Sequence, residues 1–217
     1  MGKMITIDGP AASGKTSVSR ELARRLGWQW VSTGAYYRGL AYVALQTHCD
    51  LKDESALTQL AKSSQWNVRL ALESTQVFFK DLDVTAEIFA EDVGNVASQI
   101  SQFSKVREAL LIPQRKCQTQ SFGLVAEGRD CGTVVFPEAE VKIYLTARQE
   151  NRAERRAKDQ GLEVENIVKQ QVQRDQQDSS RKVAPLQIPE SSFVVDTTHL
   201  NFQQVVDLLE SYVKSHL

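Results

Sequence analysis

ITIDGPAASGKTSVSRELARRL, residues 5–26, is the stretch whose reading decides the fold. Met4 to Asp8 reads as a short buried strand, and Lys15 to Leu26 sets Val18, Leu22 and Leu26 on one helical stripe. Gly27 stands where such a helix would stop. Between strand and helix, Gly9 to Thr16 fits GxxxxGK[ST] in full. Its glycines let the backbone turn tightly enough to aim successive N–H groups at phosphate oxygens. Lys15 adds a point charge, and the helix it opens turns its positive end to the same anion. Gly9, Pro10, Ala11, Ala12, Ser13, Gly14, Lys15, Thr16 and Ser17 are therefore read as a nucleoside triphosphate site. Thr16 or Ser17 can supply a hydroxyl to Mg²⁺ or to a phosphate.

Outward from this loop the chain alternates strand and helix. A second short strand, WQWV, precedes STGAYYRGLAYVALQ, in which Leu40, Val43 and Ala44 keep helical spacing. A segment rich in Asp, Lys and Ser follows, with no element assigned. From Trp66 the period changes: Val68, Leu70 and Leu72, then Val77 and Phe79, alternate as in a β-hairpin. Residues from about 63 to 90 are read as a small β-rich insertion. Helical pattern returns in NVASQISQFSKVREALLIPQRKCQ, with a break near Phe103. FGLVAEGRD, VKIYLTA and SFVVDTT read as further strands. RQENRAERRAKDQG and residues 164–177 read as polar helices, and the C-terminal segment as an amphipathic helix with Val205, Leu208, Leu209 and Tyr212 inward. This order implies an α/β fold, a mostly parallel sheet with helices on both faces.

The 217 residues are 41% hydrophobic and 24% charged with a net charge of −1, an ordinary globular composition. No global positive field points to nucleic acid or an anionic membrane, so phosphate affinity must come from local clusters. Cys49, Cys117 and Cys131 have neither disulfide-framework nor zinc spacing. The N-terminus is too short and polar for a secretory leader, and no apolar run has membrane-spanning length. A cytoplasmic monomer is expected, with no nucleic acid and no membrane as partner.

Arginine placement narrows the chemistry. NRAERR puts Arg152 and Arg156 at i and i+4 on one helix face, where guanidinium forks could neutralise charge in phosphoryl transfer. The plainer alternative is a solvated helix paired with Glu150 and Glu154. GRD (residues 128–130) and TGAYYR each follow directly on a strand, where open α/β sheets place ligands. RDQQDSSR adds Arg174, Asp178 and Arg181. A nucleotide-dependent switch is the rival from another class, but the guanine-reading NKxD motif is missing. Another small kinase of the same loop type is the nearer rival.

At this point the chain resembles the bacterial cytidylate kinases, members of the nucleoside monophosphate kinase group. The matching segments are ITIDGP, the GK of the loop, STGAYYR, ASQ at 97–99, VREALL, GRD with GTVVFP, VKIYL and RDQQDSSRKVAPL, spanning roughly residues 4 to 186. The resemblance implies one P-loop kinase domain over residues 1–217, an inserted subdomain for the monophosphate, and a short lid near 152–165. It implies Mg²⁺-dependent transfer of a phosphoryl group from ATP to CMP or dCMP. By matching position, Thr33, Arg38, Arg129 and Arg181 would hold the acceptor phosphate, and Ser98, Arg107 and Asp130 would read cytosine. Arg174 and Asp178 would meet the ribose. Arg152 and Arg156 would reach the ATP phosphates from the lid, with Lys15 and Arg129 as the other catalytic charges. Three positions depart from the family pattern: the loop reads GKTS where GKGT is common, Thr33 replaces a serine, and Glu127 replaces an aspartate.

Overall fold

The structure is a computed structural model that describes residues 2–71, 74–119, 122–160 and 164–217. Five parallel strands form the main sheet in the order β2-β6-β1-β7-β8: β1 (Lys3–Asp8), β2 (Gln29–Ser32), β6 (Gly123–Gly128), β7 (Val141–Thr146) and β8 (Phe193–Asp196). The central strand is β1. Its register sets Asp8 beside Gly128 of β6 and Tyr144 of β7, and Ser32 of β2 lies beside Glu127. Strand ends that finish level bring their following loops to one rim, the place where such sheets hold ligands.

Both sheet faces are covered, as alternation requires. Ile5 and Ile7 turn toward α1 (Lys15–Leu26) and the C-terminal helix α8 (Phe202–His216), packing with Val18, Leu22, Ile143 and Leu209. Met4 turns to the opposite face, where Leu40, Leu57, Ile100 and Leu110 belong to α2 (Thr33–Gln46), α3 (Glu54–Ala61), α4 (Glu91–Ile100) and α5 (Ser104–Thr119). Gly27 closes α1 in the left-handed region, with a φ of 67°, as expected of a C-terminal glycine. The break near Phe103 separates α4 from α5.

Two expectations change. The segment before Trp66, read without an element, contains α3. Asp53 caps it by accepting from the amides of Ser55 and Ala56, and Leu57 is fully buried. Leu57, Leu60 and Ala61 turn to the core at helical spacing, over only two turns of chain. In α8 the buried stripe is Val205, Val206, Leu209 and Val213, whereas Leu208 stays 40% exposed. The helix is rotated by about one residue from the expected face, because β-branched valines fit against α1 and the sheet. Tyr212 lies at the edge, stacked on Phe193 with ring centroids 4.0 Å apart.

The hairpin becomes a separate three-stranded antiparallel sheet: β3 (Trp66–Leu70), β4 (Thr75–Phe79) and β5 (Leu82–Asp83). It packs onto α2, and Trp66, Val77 and Phe79 join the same apolar cluster as Leu40. Leu72 lies outside the described residues. The close approach depends on Gly39, where a Cβ would sit 2.9 Å from the Trp66 ring and 3.0 Å from Val77. The remaining helices, α6 (Gln149–Gln160) and α7 (Val164–Ser180), pack on each other. Among the described residues no helix is long and apolar enough to cross a membrane.

Replacing Gly39 by valine should overpack this contact and destabilise the fold by about 1–3 kcal/mol. The measurement is the urea unfolding midpoint. An unchanged midpoint would mean that the small sheet is not held by α2.

Candidate active site

The loops at the rim enclose a cleft of ≈ 850 Å³. Its floor is the turn from β1 into α1. Gly9 has a φ of 153°, and a Cβ there would lie 2.1 Å from the Leu145 carbonyl oxygen, so only glycine fits. Pro10 accepts a hydrogen bond from Lys15 Nζ at 2.7 Å. Ala11, Ala12, Ser13, Gly14, Lys15, Thr16 and Ser17 line the cleft itself. The Ser13 hydroxyl is buried there with no hydrogen-bond partner among the described residues, in keeping with a concavity built for an anion.

Lys15 is 4% exposed. Burial, then repulsion from Arg129, lowers its ammonium to about 7, with Glu127, Asp178 and Asp8 opposing the shift. An ammonium so poorly solvated is primed to pair with an incoming polyphosphate. Thr16 and Ser17 are exposed at the mouth of the loop. No group of three or more metal-ligating side chains occurs among the described residues. That donor set fits Mg²⁺, which takes one or two protein oxygens and completes its shell with phosphate and water.

The acceptor side gathers most of the other expected residues. Thr33, Arg38, Ser98, Arg129, Asp130, Asp178 and Arg181 all line the cleft. Arg129 Nε donates to Asp178 Oδ2 at 2.7 Å, and Arg181 Nη2 donates to the other carboxylate oxygen. Burial lifts the Asp178 carboxyl, but the charges of Arg129 and Arg181 outweigh it and hold the group below the usual carboxylate range. Asp178 thus orients Arg129 and Arg181 at the cleft wall. Arg38 donates to the Ile88 carbonyl at 2.9 Å and lies over the Phe89 ring. Asp130 pairs with Arg107, both nearly inaccessible, and the guanidinium stacks over Tyr37 at 5.3 Å. Arg107 lies behind Asp130, where it lines a smaller cavity of ≈ 180 Å³.

Arg152 settles its own alternative. It is no solvated helix residue: it is 6% exposed, and its Nη1 donates to the Ala11 carbonyl at 2.8 Å and pairs with Asp175 at 2.7 Å. It reaches the back of the loop rather than the cleft. The side chains of Arg156 and Arg174 lie outside the described residues.

Several participants escaped the sequence reading. Asp8 is wholly buried and accepts from the amides of Cys131 and Gly132 at 2.8 and 2.7 Å. Burial lifts its carboxyl to about 6, against the pull of those two amides. Its position between a strand and the loop was the only clue. Glu127 accepts from the Ser32 hydroxyl, so its longer side chain bridges the ends of β6 and β2. Asp175 stands three residues before Asp178, a helical spacing that could have placed it on the same face. At the far end of the cleft are Arg155, Leu200, Asn201, Phe202 and Val205. Arg155 is anchored there by Thr197, donating to its hydroxyl at 3.1 Å and its carbonyl at 2.6 Å. Cys131 is inert at this site, because burial pushes its thiol well above the ordinary value.

Fold and loop together define a P-loop kinase. Among solved structures, a shikimate kinase from Bacteroides thetaiotaomicron aligns with a TM-score of 0.51 at 10% identity, covering 98% of both chains. A gluconokinase from Sinorhizobium meliloti aligns with a TM-score of 0.50 at 13% identity, covering 99% of this chain and 98% of the other. At that identity the likeness concerns the fold alone. The family model described as cytidylate kinase matches residues 5–215. A cytidylate kinase of Bdellovibrio bacteriovorus is 63% identical over 217 residues, covering 100% of both chains, and one of Aeromonas salmonicida is 42% identical, covering 100% of this chain and 96% of its own. The chain belongs to the cytidylate kinase family.

Because free Lys15 titrates near 7, at pH 8 it is mostly neutral, and a bound polyphosphate must recharge it. Calorimetric titration with ATP at pH 8, in buffers of differing ionisation enthalpy, should show uptake of roughly one proton. The uptake should vanish in Lys15→Met. An uptake near zero in the wild-type protein would contradict the depressed Lys15.

Proposed function

We propose that the chain transfers the γ-phosphoryl group of ATP to CMP and dCMP, giving CDP and dCDP, in the cytoplasm and as a monomer. The observation that carries the substrate assignment is Asp130 at the wall of a cleft whose floor is the phosphate loop, with Arg107 paired to it from behind. Cytosine presents an amino donor at N4 and acceptors at N3 and O2. A carboxylate accepts from the first, and a guanidinium donates to the others. Ser98, on the same wall, adds a hydroxyl to this base site.

Thr33, Arg38, Arg129 and Arg181 hold the acceptor phosphate, and Asp178 presents two of these arginines while Arg174 and Asp178 meet the ribose. Lys15 and the amides of residues 9–17 hold the ATP phosphates. The adenosine end lies toward Leu200 and Phe202. Thr16 or Ser17 would hold Mg²⁺, which supplies charge neutralisation between the terminal phosphates when bound. No general base is needed, because the attacking atom is already an anionic phosphate oxygen. Catalysis is positioning plus electrostatic stabilisation by Lys15, Arg129 and the lid arginine Arg156, while Arg152 supports the loop from behind through Ala11 and Asp175. Closure of the lid near 152–165 over the small-sheet insertion at 63–90 excludes water and suppresses ATP hydrolysis.

A coupled ADP-release assay across a panel of monophosphates tests the assignment, with CMP and dCMP expected to be used best. Lys15→Ala should lower turnover by several orders of magnitude while the fold persists, and near-normal turnover would remove the loop as donor site.

Uracil reverses the pattern that cytosine offers: its O4 would face the Asp130 carboxylate, and its N3–H would face guanidinium donors. Each buried mismatch costs about 1–3 kcal/mol. Asp130→Asn, whose amide can donate to O4, should therefore narrow the CMP:UMP ratio of kcat/KM, mostly through lost CMP activity. Equal loss for both substrates would reduce Asp130 to a mere anchor for Arg107.

A further inference from the structure

The assigned roles leave one carboxylate of RDQQDSSR unexplained. Asp178 and Arg181 serve the acceptor end, but Asp175, one turn earlier on α7, is directed at the donor loop. Its Oδ1 accepts the Ala11 amide at 3.2 Å, and its Oδ2 pairs with Arg152 Nη1 at 2.7 Å. That same Nη1 donates to the Ala11 carbonyl at 2.8 Å. Both backbone polar groups of Ala11 are thereby gripped from the α6–α7 pair.

The grip has a firm base. Arg152 Nε donates to the Ala147 carbonyl, and the Arg152 carbonyl accepts from the buried Gln171 of α7. The next loop residue, Ala12, has a φ of 56°, a left-handed conformation that a non-glycine residue keeps only where its surroundings enforce it. Asp175 and Arg152 are those surroundings on one side. A one-residue shift in the reach of Asp175 would leave the Ala11 amide without its carboxylate.

We propose that Asp175 is a positioning residue that couples the acceptor and donor sites, resting on the functional reading above. Arg129 and Arg181 are bound to Asp178 before any ligand arrives. An acceptor phosphate draws both arginines toward itself, and Asp178 with them, so α7 shifts as a rigid helix. Asp175, on the same helix, passes that shift to Ala11 and so to the limb of the phosphate loop that Ala11 and Ala12 form. Occupancy of one site then alters the affinity of the other, and the coupling is reciprocal.

The experiment measures CMP affinity with and without the β,γ-imido analogue of ATP and Mg²⁺, and analogue affinity with and without CMP. In the wild-type protein the ratio is expected to be about fivefold or more, and equal in both directions. In Asp175→Asn the ratio should fall to near one, while CMP affinity without the analogue stays within about twofold, since Asp178 and Arg181 are untouched. Retained coupling in the variant would overturn the proposal. So would a collapse of CMP affinity alone, which would place Asp175 in the acceptor site. Binding of both ligands by the wild-type protein without any coupling would also overturn it, yet leave the substrate assignment standing. Amide exchange in the wild-type loop needs no variant: CMP alone, whose proposed contacts do not include Ala11, should slow exchange there, and an unchanged rate would sink the proposal even if Asp175→Asn does not fold.

Discussion

A wholly buried carboxylate sets the distances across this site. Asp8 ends the central strand, one residue before the phosphate loop, and its two oxygens take the amides of Cys131 and Gly132. Burying an ionised group is costly unless hydrogen bonds replace its water. Here the balance is close, since burial has lifted the carboxyl to about 6 despite both amides. The reward is geometric. The turn that follows Arg129 and Asp130 is fixed against the residue that precedes the loop, so the two walls of the cleft are tied to each other.

Around this anchor the cleft keeps its cations in pairs. Arg129 and Arg181 share Asp178, Arg107 takes Asp130, and Arg152 takes Asp175. Among the described residues Lys15 has no carboxylate partner; its ammonium donates to the Pro10 carbonyl and is depressed by burial. Pairing limits the orientations open to each guanidinium.

The insertion contributes by contact rather than by catalytic side chains. Gly39 lets Trp66 and Val77 lie directly on α2. Thr75 of β4 accepts the Ser32 amide at 2.9 Å, and Ser32 in turn donates to Glu127. The small sheet is therefore wired to the strand ends at which Thr33 and Arg129 begin. The extra methylene of Glu127 allows this bridge, and it does not bring the carboxylate out of the cleft wall.

Local sequence determined the elements whose causes are local. The strand, glycine turn and Lys15 of residues 4–26 announce a phosphate loop, because backbone freedom, apolar alternation and helical spacing are properties of neighbouring residues. The same holds for the hairpin after Trp66 and for Arg129 and Asp130 at a strand end. Motif resemblance added Thr33, Arg38, Ser98, Arg107, Asp178 and Arg181, and all but Arg107 meet at one cleft. Other features depended on partners distant in the chain. α3 is a two-turn helix whose inward residues Leu57, Leu60 and Ala61 are set among polar ones, and the inner face of α8 was set by the surface it meets rather than by its own hydrophobic count. The partners of Asp8 are the amides of Cys131 and Gly132, and those of Asp175 are Ala11 and Arg152, all distant in the chain. Arg152 was ambiguous for the same reason: a charged helix reads alike in sequence whether it faces water or a backbone carbonyl, and only packing decides which.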